Sequence, residues 1–362
     1  MIRIFARSPY IIDINDISQT GSKLELYIYD GSSTVPATPT YTLSKLIPAS
    51  NNTNTSYNIS PYLREYLTHI TNGMNYNTIN DLTNYDEYVY VQYKTYNLIG
   101  GSYVLDSTVT ARCYDGYGYY EDLVNPDRGD VLLGNNTTHY YWYDSTNNPA
   151  SIGSQAAGIV TAYIGKDWYV YRQNIITGAN QTNTYASAAV YDLFRVFPTY
   201  YSAGNLMEIY TDLGALVWSA TFIPKIECRY TPMTIDFVNK FGGWQREFFF
   251  KASQELLDVT NTTYNLMMSD NAPYTISEGQ RAVFNANGIR RYIMNTGWVD
   301  ESYGETMQEL LLSERVIWVD GNDRIPVKVN TKSLNKQKNI NNKTINYQIE
   351  IELAFDVINS VI

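Results

Sequence analysis

The chain has 362 residues and a formal net charge of −10 at pH 7, from 36 acidic and 26 basic side chains. This length predicts about two or three domains, and the acidic balance argues against a general nucleic-acid binder, which needs clustered Lys and Arg. Tyrosine occurs 35 times and favours strands and half-wet surfaces. The composition therefore indicates a mainly β fold and argues against a helical bundle or a coiled coil.

Cysteine content and hydropathy argue against further classes of protein. The two cysteines, Cys113 and Cys228, are too few for a disulfide scaffold or a cysteine metal cluster. A single disulfide between the two cysteines is one alternative. Two unpaired thiols are the better interpretation for a chain assembled in a reducing cytoplasm. No run approaches the roughly 18 apolar residues of a membrane span, and the first residues lack the apolar segment of a signal peptide. We therefore expect synthesis in the cytosol, or export by a route that the sequence does not show.

Residues 1–125 predict an N-terminal antiparallel β-sandwich. Alternation of apolar and polar residues indicates strands on both sides of the turn 19–22, a strand at 41–46, and two long strands, 85–98 and 102–120, around Gly100-Gly101.

The segment between these strands predicts a loop followed by a helix. Residues 49–58 are almost wholly Asn, Thr and Ser, which is typical of a solvated loop. Ser60 then suits the N-cap and Pro61 the first helical position. The apolar stripe of this helix would be Leu63, Tyr66 and Leu67.

Residues 126–225 predict a second β-rich domain. Tyr140–Tyr143 and Trp168–Tyr171 are aromatic strand candidates, and residues 208–213 and 216–222 flank Gly214 as a hairpin. The segment 188–198 fits either a strand or a helix.

Residues 226–362 predict a C-terminal β-rich domain with one amphipathic helix. The pattern indicates two strands around the turn Asn239–Gly243, strands near 283–295 and 316–319, and a helix at Tyr303–Glu314. Its apolar face comprises Met307, Leu310 and Leu311.

The C-terminus has the clearest alternation in the chain. One face of the last strand is apolar, comprising Ile349, Ile351, Leu353, Phe355 and Val357. Residues 325–334 should pair with it across a Lys- and Asn-rich loop, 335–343.

No catalytic constellation is visible in the sequence, so we expect no enzyme, cofactor or metal site. The two histidines, His69 and His139, lack any accompanying catalytic motif and are interpreted as surface or strand residues. Glycoside hydrolysis would need two carboxyl groups across a cleft. The candidate dipeptides, Asp86-Glu87 and Glu121-Asp122, cannot be that pair alone, because adjacent strand residues point to opposite faces.

Two other motifs are ambiguous. Residues 320–323 begin like a calcium loop, but Arg324 occupies a ligand position, so a hairpin turn is the better interpretation. Lys336, Lys338 and Lys343 belong to a basic stretch in an acidic chain. This stretch could be a solvated hairpin tip, a contact with an acidic neighbouring subunit or, with less support, a contact with packaged DNA.

Long segments of the C-terminal third resemble structural proteins of tailed bacteriophages. These segments, 228–250, 289–319 and 325–362, are most similar to proteins of marine phages and phages of Bacteroidetes, which have AT-rich genomes. Parts of the N-terminal 67 residues resemble the opening module of such proteins. The resemblance does not extend to the middle of the chain, and its motifs are not catalytic.

The resemblance implies a non-enzymatic structural component of a virion, assembled in the host cytoplasm. Its expected place is the tail, baseplate or connector region, where it would self-assemble, for example as a ring, and contact neighbouring virion proteins. One alternative is a receptor-binding or adhesion module that recognises host cell-surface glycans. Another is a head- or neck-associated structural protein.

Subunit contacts are expected at aromatic and basic residues of the C-terminal segment, because aromatic side chains anchor interfaces. For Trp244 and Trp298, a simple core position is the competing interpretation. The full set of expected contact residues is Trp244, Phe248, Phe250, Trp298, Lys336, Lys338 and Lys343.

Overall fold

Strands dominate the computed structural model of this chain, which confirms the expected mainly β, multi-sheet fold. The structure describes residues 2–29, 34–48, 53–67, 88–126, 129, 131–143, 160–164, 168–184, 192–196, 204–226, 229–250, 253–266, 276–277, 279–321, 323–336 and 344–359. Two α-helices occur within these ranges.

A five-stranded sheet with the order β1-β7-β6-β3-β4 forms the N-terminal part of the chain. A second, two-stranded sheet of β2 and β5 shares its apolar core. All pairs are antiparallel except β1 with β7, which are parallel. The elements are β1 (Ile2–Phe5), β2 (Ile11–Asn15), β3 (Gly21–Tyr29), β4 (Tyr41–Leu46), β5 (Asn54–Asn58), α1 (Ser60–Arg64), β6 (Tyr88–Ile99) and β7 (Ser102–Tyr114).

The predicted strands on the two sides of the turn 19–22 are present as β2 and β3. They do not pair with each other, because β2 pairs with β5 while β3 pairs with β4 and β6. The predicted loop 49–58 contains β5. Its Thr55 and Tyr57 are buried, and both hydroxyls hydrogen-bond to the Ser22 hydroxyl, at 2.6 and 2.7 Å. A polar segment can therefore form a core strand when its hydroxyl groups find partners inside.

The helix α1 begins at Ser60, but the Ser60 hydroxyl does not cap it. That hydroxyl accepts a hydrogen bond from the Tyr10 amide at 2.9 Å and donates one to the Ser8 carbonyl. The serine therefore joins the helix to the segment between β1 and β2, which corrects the predicted N-cap role. Leu63 and Leu67 are buried as expected.

The middle part forms a five-stranded sheet with the order β11-β10-β13-β14-β8 and a separate pair, β9 with β12. The predicted hairpin at Gly214 is confirmed as β13–β14, and β8 lies parallel to β14. The elements are β8 (Thr137–Tyr143), β9 (Val160–Ile164), β10 (Tyr169–Asn174), β11 (Asn180–Thr184), β12 (Asp192–Val196), β13 (Asn205–Tyr210) and β14 (Leu216–Ile226).

A seven-stranded sheet with the order β16-β15-β19-β20-β21-β18-β17 forms the C-terminal part. The predicted turn at Asn239–Gly243, the helix and the hairpin at 320–323 are confirmed. The last strand ends at Leu353, so the predicted continuation through Phe355 and Val357 is wrong; both side chains are exposed. The elements are β15 (Met233–Val238), β16 (Trp244–Phe249), β17 (Gln254–Asn265), β18 (Arg281–Asp300), α2 (Tyr303–Leu312), β19 (Val316–Asp320), β20 (Asp323–Val329) and β21 (Thr344–Leu353).

The middle and C-terminal sheets share one hydrophobic core. It extends from Val131 through Phe222 to Met294, Met307 and Leu353. The N-terminal sheets have a separate core. Each sheet takes its strands from one predicted segment, 1–125, 126–225 or 226–362, apart from the last residue of β14, but the second and third segments pack as a single body.

Candidate functional site

A chain of buried polar groups lies where the middle sheet meets the C-terminal sheet. The Glu247 carboxylate on β16 accepts hydrogen bonds from the Tyr303 hydroxyl at 2.5 Å and the Gln245 amide at 2.7 Å. His139 Nδ1 on β8 lies 3.5 Å from the same carboxylate. His139 Nε2 lies 2.8 Å from the Thr137 hydroxyl. These residue types could perform acid–base chemistry.

The burial of this polar network argues for a structural role. His139 and Glu247 are 0% exposed and Tyr303 is 1% exposed. Burial raises the pKa of the Tyr303 hydroxyl, and the neighbouring Glu247 charge raises it further. A hydroxyl that keeps its proton is a hydrogen-bond donor to Glu247, so the network can hold β8, β16 and α2 together.

The turn Asn239–Gly243 connects all three parts of the chain. The Asn239 side chain accepts hydrogen bonds from the amides of Phe241 and Gly243, at 3.0 and 3.2 Å, and donates one to the Leu132 carbonyl, at 3.0 Å. Phe241 packs in one cluster with Phe5, Tyr88, Tyr114 and Leu132. The predicted turn is therefore also the junction between the N-terminal sheet and the rest of the molecule.

Buried ion pairs flank this turn. Arg246 binds Asp236 through two hydrogen bonds of 2.7 and 2.9 Å. Lys240 Nζ lies 3.1 Å from Glu309 on α2. Burial raises the pKa of Glu309 despite the nearby ammonium group. Each pair fixes a local geometry, because removing one partner would leave a buried charge without compensation.

Three of the expected interface aromatics belong to the core. Trp244, Phe248 and Phe250 are all buried within the chain. Phe248 and Phe250 belong to the core that the middle and C-terminal sheets share, and Trp244 packs with Val238 and Ile317 of the C-terminal sheet. Little side-chain surface is left for a second subunit. This corrects the expected subunit contact, and for Trp244 it favours the core interpretation.

Trp298 and Lys336 lie at the surface. Trp298 is 63% exposed, because the bulge between Asn295 and Trp298 turns its side chain outward from β18. Lys336 donates a hydrogen bond to Gln308 on α2. Lys338 and Lys343 lie outside the described residues, so their predicted subunit contacts stay predictions.

A long two-stranded arm combines part of the strand predicted near 283–295 with β17, which sequence reasoning missed. Beyond the point where β21 begins to pair with β18, residues 257–265 of β17 and 281–290 of β18 pair only with each other among the described strands. We call these two segments the arm. Large apolar side chains are exposed along it, namely Leu257, Val259, Tyr264, Val283 and Phe284.

The two edges of the arm differ. The C-terminal tail covers part of the β18 edge, where the Val357 amide donates a 2.7 Å hydrogen bond to the Gly288 carbonyl. Asn287 bonds both the amide and the carbonyl of Ile358, at 3.0 Å each. No described strand pairs with the outer edge of β17. Along the whole arm, the β17 edge therefore has no described partner strand, whereas the β18 edge is partly covered by the tail.

A half-exposed tyrosine face lies on the middle sheet. Tyr169 and Tyr171 on β10 share this face with Tyr210 on β13, as the register requires. The rings of Tyr169 and Tyr210 stack with centroids 5.0 Å apart. Glu208 accepts a 2.7 Å hydrogen bond from Tyr210, which raises the pKa of that hydroxyl to about 12.

The remaining sequence candidates do not form a site in the described part of the chain. Glu121 and Asp122 lie on an exposed 3-10 helix, Tyr120–Asp122. His69, the pair Asp86-Glu87, and Cys228 fall outside the described residues, whereas Cys113 is a buried free thiol. Within the described ranges, no group of three or more His, Cys, Asp or Glu residues could hold a metal ion. No described helix has the length and apolar character needed to cross a membrane.

Comparison with known proteins adds no relative. A scan against protein-family models finds no match, and a search of the curated proteins finds none either.

Proposed function

We propose that this protein is a non-enzymatic structural component of a tailed-phage virion. Its place would be the tail, baseplate or connector region, where it assembles with further copies and contacts neighbouring virion proteins. The phage assignment rests on the sequence resemblance of the C-terminal third. The assembly role rests on the arm.

The arm is the observation that carries the proposal. A paired ribbon that projects from a sheet with apolar residues on its surface gains little stability from its own contacts. Exposed apolar patches and unpaired strand edges are typical of surfaces that another chain covers. Such an arm therefore suits a subunit that becomes fully ordered within an assembly.

The interior of the molecule supports the same proposal. Its polar network joins β8, β16 and α2, and its buried ion pairs join β15 to β16 and the turn Asn239–Gly243 to α2. Rigid bodies with protruding arms can hold a fixed geometry from one subunit to the next.

Immunogold labelling of purified virions tests this function. An antibody raised against the full chain should label intact particles of the phage that encodes it, at the tail, baseplate or connector. Labelling at the head or neck would favour the other structural position. Absence of the chain from purified virions would overturn the proposal.

Recognition of host glycans is a second candidate, favoured by the tyrosine face. Tyr169, Tyr171 and Tyr210 offer rigid aromatic rings beside the Glu208 carboxylate, and such rings supply contact area at low entropy cost. This candidate predicts saturable binding of host polysaccharide by the full chain. Tyr171→Ala should weaken that binding several-fold, whereas Tyr103→Ala, on an exposed strand of the N-terminal sheet, should not.

A further inference from the structure

We propose that the outer edge of β17 pairs with β17 of a second copy of this chain. The two strands would run antiparallel about a two-fold axis perpendicular to the sheet, with Val259 facing Val259 of the second copy. This inference rests on the proposed assembly function and names the partner of the arm.

The length and exposure of β17 set it apart from the other edge strands of the described sheets. β17 has 12 residues, and all of them except Leu256 are exposed. The other outer strands of the multi-stranded sheets are shorter: β1 has 4 residues, β4 has 6, β8 has 7, β11 has 5 and β16 has 6. Of these, β16 is buried throughout. Pairing along β17 would add about ten backbone hydrogen bonds.

The sequence of β17 lacks Lys and Pro, two residues that often protect a free edge, although it carries the acids Glu255 and Asp258. Natural proteins place Lys or Pro on exposed edges to prevent pairing with other chains. β4 carries Lys45, whereas Gln254–Asn265 contains neither Lys nor Pro. An exposed edge of this length without Lys or Pro is what we expect of a strand that another strand covers.

The charges of β17 are compatible with self-pairing in this register. Glu255 and Asp258 are the only charged residues of the strand. With Val259 at the centre, Asp258 faces Thr260 of the second copy and Glu255 faces Thr263. No acid then opposes an acid, and like charges directly opposite would destabilise the pair.

The intramolecular contacts of these two acids leave their charges balanced. Asp258 forms an ion pair with Arg291, and Glu255 lies 3.6 Å from Arg290. The edge that a second copy meets is thus close to neutral. The central contact joins two β-branched valines, each 60% exposed in the single chain, which are a favourable cross-strand pair.

Disulfide trapping of the full chain tests the register. Val259→Cys places two thiols opposite each other at a separation that suits a disulfide. Leu257→Cys is the matched control, because Leu257 is 55% exposed on the same strand. In the proposed register, residue 257 of the second copy would lie about 13 Å away along the strand pair, too far for a disulfide bond. The parent protein, oxidised under the same conditions, shows how much disulfide-linked dimer Cys113 and Cys228 form on their own.

We expect mild oxidation to give a reducible dimer with Val259→Cys at least tenfold faster than with Leu257→Cys. Equal rates for the two variants, no dimer, or a faster reaction with Thr260→Cys would overturn the proposed pairing. If no disulfide-linked dimer forms but the chain is present in virions, the proposed β17 interface is rejected and the proposed function is not. Absence of the chain from virions would reject the proposed function instead.

Discussion

Gly242 occupies a place in the turn Asn239–Gly243 that no other residue fits. Its φ is +85°, in the left-handed region. A Cβ atom there would lie 2.7 Å from Tyr114 Cβ and 2.8 Å from the Asp115 amide nitrogen. The chain at the end of β7, from Tyr114 to Gly116, lies so close to this turn that a side chain would push the N-terminal sheet away.

Substitution of Gly242 should therefore be costly. We expect Gly242→Ala to lower the free energy of unfolding by roughly 2–4 kcal/mol, from the strained φ and the steric clash together. Gly101→Ala is the matched control, because Gly101 has φ +80° and no atom within 4 Å of the added Cβ. It should cost about 1 kcal/mol. Equal losses in urea denaturation would contradict the close approach at Gly242.

Glu309 should make stability depend on pH in an unusual direction. Burial raises its pKa above the ordinary value of 4.5. A raised carboxyl pKa means that the folded state keeps the proton that the unfolded chain releases, so stability falls as pH rises from about 4.5 through the raised pKa.

The difference in unfolding free energy between the parent and Glu309→Gln isolates this effect. We expect the parent to lose stability relative to Glu309→Gln as pH increases from 4 to 7. Denaturant titrations at several pH values measure the difference. A parent that gains stability over the variant in this range would show that Lys240 outweighs the burial of the carboxyl group.

The type of a residue does not by itself show whether that residue lies in the core or at an interface. Trp244, Phe248 and Phe250 are the residue types of an interface anchor, but burial within the chain makes them core residues. The sequence alone does not distinguish a core position from an interface position, because large aromatic residues occur in both. Likewise, the contact of His139 with Glu247 joins residues 108 positions apart (247 − 139), and no local pattern encodes such a distance.

At the scale of elements, the strands and helices that the sequence predicts are those whose hydrophobic residues recur with a regular period. β21 and α2 bury one face each, so their alternation and helical spacing were readable. β17 is exposed on both faces and carries no such pattern. β5 is polar, and its two buried residues, Thr55 and Tyr57, hydrogen-bond to Ser22. The elements that sequence reasoning missed are those whose environment is set by distant strands.

Hydrogen exchange can report the pairing state of β17 directly. In dilute protein, the outward amides of β17 should exchange rapidly, because local opening needs little energy at an exposed edge. We expect their protection to rise with protein concentration, whereas protection of the outer edge of β4 should stay constant. Protection in β17 that does not depend on concentration would argue against the proposed partner.

At the scale of the whole molecule, the three parts act as a connected body. The middle and C-terminal sheets share one core. The N-terminal sheet joins them through the cluster around Phe241 and through the hydrogen bond from Arg7 to the Leu312 carbonyl. The segment boundaries inferred from the sequence follow the sheets, but they do not predict that the last two segments are packed together. The arm contributes no residue to this shared core.

Sedimentation velocity of the full chain over a range of concentrations is the most direct test of assembly through the arm. We predict a concentration-dependent dimer or larger species for the parent, and a shift towards monomer of at least tenfold in apparent Kd for Val259→Lys, which places like charges opposite each other. Leu216→Lys, at an exposed apolar position on β14, should associate like the parent. A parent that stays monomeric at every concentration, or a Val259→Lys variant that associates like the parent, would contradict the account.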